Sequence, residues 1–146
     1  MNPKVLITRL DSELPMPAYA KPGDAGVDLC ARIDVEIAPG ARTLVPTGIA
    51  IALPAGYVAL VTPRSGFALK QGGTLLNSPG VIDAGYRGEI GCIVHNTESG
   101  FMSIKRGDRI AQLLVLPIPS VEFIEVAQLP GTQRADGGFG STGRSA

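Results

Sequence analysis

The sequence predicts an all-β domain, a sandwich, jelly roll or barrel of many short strands. Three observations carry this prediction. Glycine and proline interrupt the chain roughly every eight to twelve residues. The stretches between them are short and apolar, and several alternate with period two, as do Ile49, Ile51 and Leu53 among alanines and Asp34-Val35-Glu36-Ile37. No segment repeats apolar residues at the 3.6-residue spacing of a long amphipathic helix. The 146 residues are enough for one domain. With four Phe, three Tyr and no Trp, its core must be mostly Val, Ile, Leu and Ala.

Taken in order, residues 5–10 form the first apolar stretch and suit a strand. Ala25-Gly26-Val27-Asp28-Leu29 is a second, with a carboxylate set into it. Residues 35–37 follow, then the turn Pro39-Gly40. Residues 49–53 are closed by Pro54-Ala55-Gly56 and lead into residues 57–61. Residues 65–71 are the one short helix candidate, with Ser65 able to cap its start and glycine following. Gly72-Gly73 and Ser78-Pro79-Gly80 mark turns, and the glycines of residues 77–90 allow a tight hairpin or a bulged loop. Residues 89–94 make another strand. The polar turn Lys105-Arg106-Gly107-Asp108 feeds residues 109–116, and residues 121–126 form a last apolar stretch. From about residue 130 the chain is glycine-rich. That segment has too little apolar surface to offset its ordering entropy and should be mobile on its own. The expected division is a domain over 1–129 and an arm over 130–146.

Bulk properties exclude several functions. Thirteen Lys and Arg balance thirteen Asp and Glu, which argues against a nucleic-acid surface built on net positive charge. Met1-Asn2-Pro3-Lys4 has no signal-peptide pattern, and the apolar runs are too short to span a bilayer as helices, so a cytoplasmic protein away from membranes is expected. Two cysteines, Cys30 and Cys92, and one histidine, His95, match no zinc-site spacing. Both thiols lie in or beside apolar runs and read as structural, with a disulfide or a reactive thiol as alternatives. His95 stands at a strand end, a structural or exposed position, and gives triad catalysis little to stand on. No Gly-Lys-Ser or Gly-Lys-Thr occurs, which excludes a Walker P-loop.

Five clusters nevertheless suit a nucleotide. In Arg134-Ala135-Asp136-Gly137-Gly138-Phe139-Gly140-Ser141-Thr142-Gly143, the guanidinium can fork onto a phosphate and the hydroxyls can donate to one. Phe139 can stack on a base. Pro63-Arg64-Ser65-Gly66 sets an arginine and a serine at the mouth of the short helix, where exposed amides favour an anion. Asp83, between Ile82 and Ala84, reads as a partly sheltered carboxylate that can polarise a water as general base, or else as a turn residue. Asp28 can hold a divalent cation directly or through water, or serve as an ion-pair partner. Gln112 is a polar residue inside an apolar strand and needs a hydrogen-bond partner.

These stretches, in this order, resemble the five motifs of the homotrimeric deoxyuridine triphosphate nucleotidohydrolases, the dUTPases. The match runs through residues 25–29, 63–66, 80–89, 106–113 and 134–143, almost the whole chain. Any one motif is weak, but five in order with compatible spacing are specific. Ala135 departs from the glycine the family carries there and would be strained if that position needs positive φ.

The resemblance implies a distorted jelly-roll β-barrel, a threefold homotrimer, and active sites between subunits closed by a neighbour's C-terminal arm. It implies that dUTP binds with Asn77, Gly80, Val81, Ile82 and Gly91 around the uracil. Tyr86 would lie under the deoxyribose and exclude a 2′-hydroxyl, and Phe139 would stack over the base. Arg64, Ser65, Gly66, Gln112, Arg134, Gly140, Ser141 and Thr142 would hold the triphosphate. Mg²⁺ would sit mainly on the phosphates, with Asp28 reached through water. Asp83 would direct a water at the α-phosphorus, giving dUMP and pyrophosphate. A dCTP deaminase of the same fold, alone or bifunctional, is the rival enzyme, and the complete arm favours the hydrolase. The other rival, a trimeric jelly-roll module without chemistry, should have lost Asp83, Arg64 or arm residues, and all are present.

Overall fold

The computed structural model describes residues 3–132. Its elements are β1 (Leu6–Arg9), β2 (Val27–Cys30), β3 (Val35–Ile37), β4 (Arg42–Pro46), β5 (Ile49–Ala52), β6 (Tyr57–Pro63), α1 (Ser65–Gln71), β7 (Gly73–Leu75), β8 (Gly80–Ile82), β9 (Gly91–Asn96), β10 (Met102–Ile104) and β11 (Arg109–Pro117). All pairings are antiparallel: a four-stranded sheet in the order β2-β11-β6-β8, a three-stranded sheet β4-β9-β7, and the pairs β1-β5 and β10-β3. The architecture is the all-β, jelly-roll-like one that the turn rhythm predicts, with a single short helix. Within the described residues the sheets do not close into one barrel.

The core follows from strand alternation. Val45, Cys92 and Val94 point inward from β4 and β9, and Ile49 and Ile51 from β5, with polar or half-buried neighbours between them. Leu29, Ala59, Val61, Ala111 and Leu113 fill the space under the four-stranded sheet. The long strand β11 departs from strict alternation. A bulge between Arg109 and Ala111 lets both Ile110 and Ala111 be fully buried. Beyond the bulge, Gln112 stands opposite Asp28 on one side and Thr62 on the other.

Several expectations need correction. Strands β4, β7 and β10 are present where no strand was expected; two are only three residues long, and Gly73 opens β7 from within the expected turn. Residues 121–126 form no strand. Phe123 and Ile124 are 93% and 75% exposed, since no sheet edge among the described residues pairs with them. Of the two forms open to residues 77–90, the hairpin is not formed. β8 pairs with β6 and β9 with β4 and β7, so the segment is a loop crossing between two sheets. The cap of α1 is Arg64, with φ −82° and ψ 139°, and Ser65 is already helical. Pairing of β6 with β11 holds the chain extended through Pro63, so the turn into the helix falls on the next residue. The helix does end at glycine, with Gly72 at φ 60°.

Candidate functional site

The first group of candidate residues is assembled by the four-stranded sheet. Cross-strand register puts Asp28, Gln112 and Thr62 side by side, and Arg64 lies two residues beyond Thr62 on the same strand direction. Gly26 makes room for this arrangement. A Cβ there would stand 3.2 Å from the Leu113 carbonyl oxygen and 3.3 Å from Gln112 Oε1. The result is a cleft of about 340 Å³ lined by Asp24, Asp28, Arg64, Ser65, Gly66, Arg109 and Gln112, among others.

Asp28 organises this cleft. Its Oδ1 accepts from Arg64 Nε at 2.7 Å, and its Oδ2 from Arg109 Nη1 at 3.3 Å. The guanidinium of Arg64 also donates to the Arg109 carbonyl at 3.3 Å. Gln112 is half-buried and donates from Nε2 to the Pro63 carbonyl at 3.2 Å, the partner that its place in an apolar strand requires. Ser65 and Gly66 are exposed at the mouth, and the cap residue Arg64 makes no side-chain capping bond. Arg109 joins this group without having been singled out. Its sequence position looks like one more charge after a polar turn, and only the register beside Cys30 and the bulge turns it toward Asp28.

The second group lines a pocket of about 200 Å³ between the loop of residues 83–90 and strands β6, β7, β8 and β9. Asn77, Gly80, Val81, Ile82, Asp83, Tyr86 and Gly91 all contribute, together with Glu89, which was not anticipated. β8 is the edge of its sheet, so one row of its backbone groups faces away from β6. Tyr86 folds back across Gly88, where a Cβ would collide with the ring, and its hydroxyl donates to the Glu89 carbonyl at 2.9 Å. The Tyr86 amide donates to the Asp83 carbonyl at 3.0 Å. Asp83 is exposed rather than partly sheltered, because its neighbours Ala84 and Gly85 have no bulk to cover it.

The two clefts share no lining residue. Arg134, Phe139, Gly140, Ser141, Thr142 and the Ala135 departure lie outside the described residues. Among the described residues, no group of three or more His, Cys, Asp or Glu could hold a metal ion. Cys30 and Cys92 are free thiols, not a disulfide. Burial pushes the Cys92 thiol up to about 12, and burial followed by the Asp28 carboxylate pushes Cys30 up. Both shifts favour the protonated thiol over the nucleophilic thiolate. His95 is half-buried next to the end of β9, with Nδ1 3.1 Å from the Ala41 carbonyl, a structural role.

Comparison with known proteins supplies the context for this geometry. The dUTPase family model matches residues 12–143. A deoxyuridine 5′-triphosphate nucleotidohydrolase of Streptomyces coelicolor is 55% identical over 141 residues, covering 96% of this chain and 77% of that protein. The solved dUTPase of Staphylococcus bacteriophage 80alpha with dUpNHpp superposes with a TM-score of 0.89 at 28% identity, covering 97% of this chain and 99% of the phage one. A variant dUTPase of phage phi11 of S. aureus, described as coordinating a structural Mg(II) ion, superposes at 0.81 with 27% identity over 88% of this chain and 99% of that one.

Proposed function

Because the chain belongs to the dUTPase family, we infer that it is a hydrolase converting dUTP to dUMP and pyrophosphate. The observation that carries this reading is the separation of the candidate residues into two clefts of complementary chemistry. One holds paired arginines, a hydroxyl and an amide, the groups that bind a polyphosphate. The other combines an apolar wall, a backbone edge, an amide and a lone carboxylate, the groups that read a flat base and activate a water.

In this reading the exposed backbone row of β8 and the Asn77 amide pair with the polar edge of uracil. Such a site rejects the cytosine amino group better than an apolar slot would, because a mismatch leaves buried polar groups unpaired. Tyr86 packs under the deoxyribose and leaves no room for a 2′-hydroxyl. Arg64, Ser65, Gly66 and Gln112 hold the phosphates. A guanidinium has five donors, so Arg64 can keep an Asp28 contact while it forks onto phosphate oxygens. Asp83 accepts a proton from a water as that water attacks the α-phosphorus, and the pyrophosphate leaves with the bridging oxygen.

The donor set of the phosphate cleft suits Mg²⁺ held mainly by the phosphates. Both Asp28 oxygens already accept from arginines, which leaves them suited to contact a hydrated ion through water. Bound there, the ion would supply neutralisation of the phosphate charge.

We further infer a homotrimer with shared sites and no nucleic-acid or membrane partner. Two features support the trimer: the clefts share no residue, and Val121, Phe123, Ile124 and Leu129 are all exposed. Arg134, Phe139, Gly140, Ser141 and Thr142 from a neighbour's arm would then cover the exposed Asp83 and exclude water. A cytoplasmic location accompanies this reading, since its substrate is an intracellular nucleotide. Among the described residues no helix is long and apolar enough to cross a membrane.

The test is product analysis after incubation with dUTP and Mg²⁺ in ¹⁸O-water, with dTTP, dCTP and UTP as controls. Expected products are dUMP carrying the label and unlabelled pyrophosphate. Ammonia from dCTP would point to the deaminase instead. Asp83→Asn should lower kcat by roughly 10²-fold while nucleotide binding persists; near-normal turnover would remove Asp83 from the base role.

A further inference from the structure

We propose that Glu89 is a positioning residue for this reaction, holding Tyr86 and Asp83 in place through a chain of hydrogen bonds anchored on Gly48 and Arg32. The proposal rests on the dUTPase reading. Gly48 is buried, sits at φ 75°, and is hemmed in by Asp11 and Leu14 at 3.1 and 3.3 Å from where a Cβ would be. A buried N–H in a turn between two strands has no ladder partner of its own and needs an acceptor. Glu89 Oε1 supplies it at 2.8 Å.

The same carboxylate accepts from Arg32 Nη1, at 3.3 Å to Oε1 and 3.2 Å to Oε2. Arg32 is itself held by its backbone N–H to the Pro46 carbonyl at 2.8 Å and by Nη2 to the Leu10 carbonyl at 3.3 Å. Next along the chain, Ile90 is clamped by the Thr47 hydroxyl and amide on its carbonyl, at 2.6 and 3.1 Å, and by its own amide on Ile49 at 2.9 Å. The end of the loop at residues 89–90 is therefore fixed to the β4–β5 corner by one side chain and one backbone.

The remainder of the loop leans on that anchor. The Glu89 carbonyl receives the Tyr86 hydroxyl, and the Tyr86 amide reaches the Asp83 carbonyl. Residues 83–88 otherwise touch little. Asp83, Gly85, Tyr86 and Arg87 are exposed, and Arg87 donates only to the neighbouring carbonyls of Ala84 and Tyr86. Releasing the carboxylate from Gly48 should thus shift the two side chains that contact the sugar and the water. A small displacement of reacting groups is costly to catalysis.

Three variants test this: Glu89→Ala, Glu89→Asp and Glu89→Gln. Each is measured in the full-length enzyme for Tm, for kcat and KM on dUTP, and for the ratio of kcat/KM on dUTP to that on UTP. Gln keeps an acceptor for Gly48 and should stay within about threefold of the parent kcat. Ala and Asp, which cannot reach Gly48, should lose about ten- to a hundredfold in kcat and discriminate less against UTP. A merely structural Glu89 would lower Tm and leave kcat per folded enzyme and the UTP ratio unchanged, and that result would overturn the proposal. If Glu89→Ala does not fold, Glu89→Asp and Glu89→Gln decide by the same readouts. A parent protein without dUTP hydrolysis would instead sink the functional reading on which the proposal depends.

Discussion

Cys92 and Asp28 have opposite environments, and each environment sets what the group can do. Cys92 is buried in the core on β9, and burial pushes its thiol up to about 12. At pH 8 it therefore stays protonated and shielded. In the native protein Cys92 should fail to react with a thiol-titrating reagent, and Cys30 should react more slowly than in denaturant; counting released chromophore in both states checks this. Asp28 is only half-buried and faces two guanidinium groups. Its type and place in an apolar strand were legible as either a cation ligand or an ion-pair partner, and register across β11 sets it beside Arg64 and Arg109. Asp83 was legible as a general-base candidate by motif but not by environment. Exposure is a property of what lies above a residue, and Ala84 and Gly85 could not reveal that none of the described residues does.

Helix α1 meets the sheet through one side chain, Phe67, which is 3% exposed. Its ring lies directly on Gly73, the first residue of β7, where any Cβ would overlap the ring. Gly73→Ala should destabilise the protein by about 1–3 kcal/mol, as overpacking of a closed core does, seen as a lower midpoint in urea unfolding. A second element-scale feature ties the turn before β11 to the N-terminal segment. The Arg106 guanidinium bonds Asp11 and Glu13, and its backbone N–H bonds Asp34. Arg106 is the main cause that holds both aspartates below their ordinary value of 3.8. A carboxyl depressed in the folded state adds stability above its unfolded value and loses it as pH falls through the folded one. Tm should hold from neutral pH to mild acid and fall below about pH 4. Arg106→Ala should make that fall shallower by removing the Asp11 share, while the backbone bond to Asp34 remains. The element boundaries show where sequence reading succeeds. Strands with clean alternation, such as β5, were legible, whereas β7 and β10 were too short to carry a periodic signal.

At the scale of the whole molecule, residues 121–126 are an apolar stretch left exposed among the described residues. Phe123 and Ile124 stand side by side between Glu122 and Glu125, an apolar pair that joins no sheet among the described residues. If the chain assembles as the trimer proposed above and these residues pair with another protomer, Phe123→Asp with Ile124→Asp should give monomers and abolish turnover, as sedimentation velocity and activity together would record. A sedimentation profile unchanged by the pair of charges would mean that the segment is not part of an interface.

Turn chemistry and period-two patterning were enough, from sequence alone, to specify an all-β chain with one short helix ending at Gly72, because these signals depend on each residue's own backbone preferences. The order of five motifs was enough to specify the family. Only the tertiary structure decided which of those residues meet. Long-range register across β2, β11 and β6 puts Asp28 with Gln112 and Arg109 and sends Asp83 and Tyr86 to a different cleft. Pairing between strands far apart in the chain depends on the whole packing solution, and no local pattern of residues encodes it.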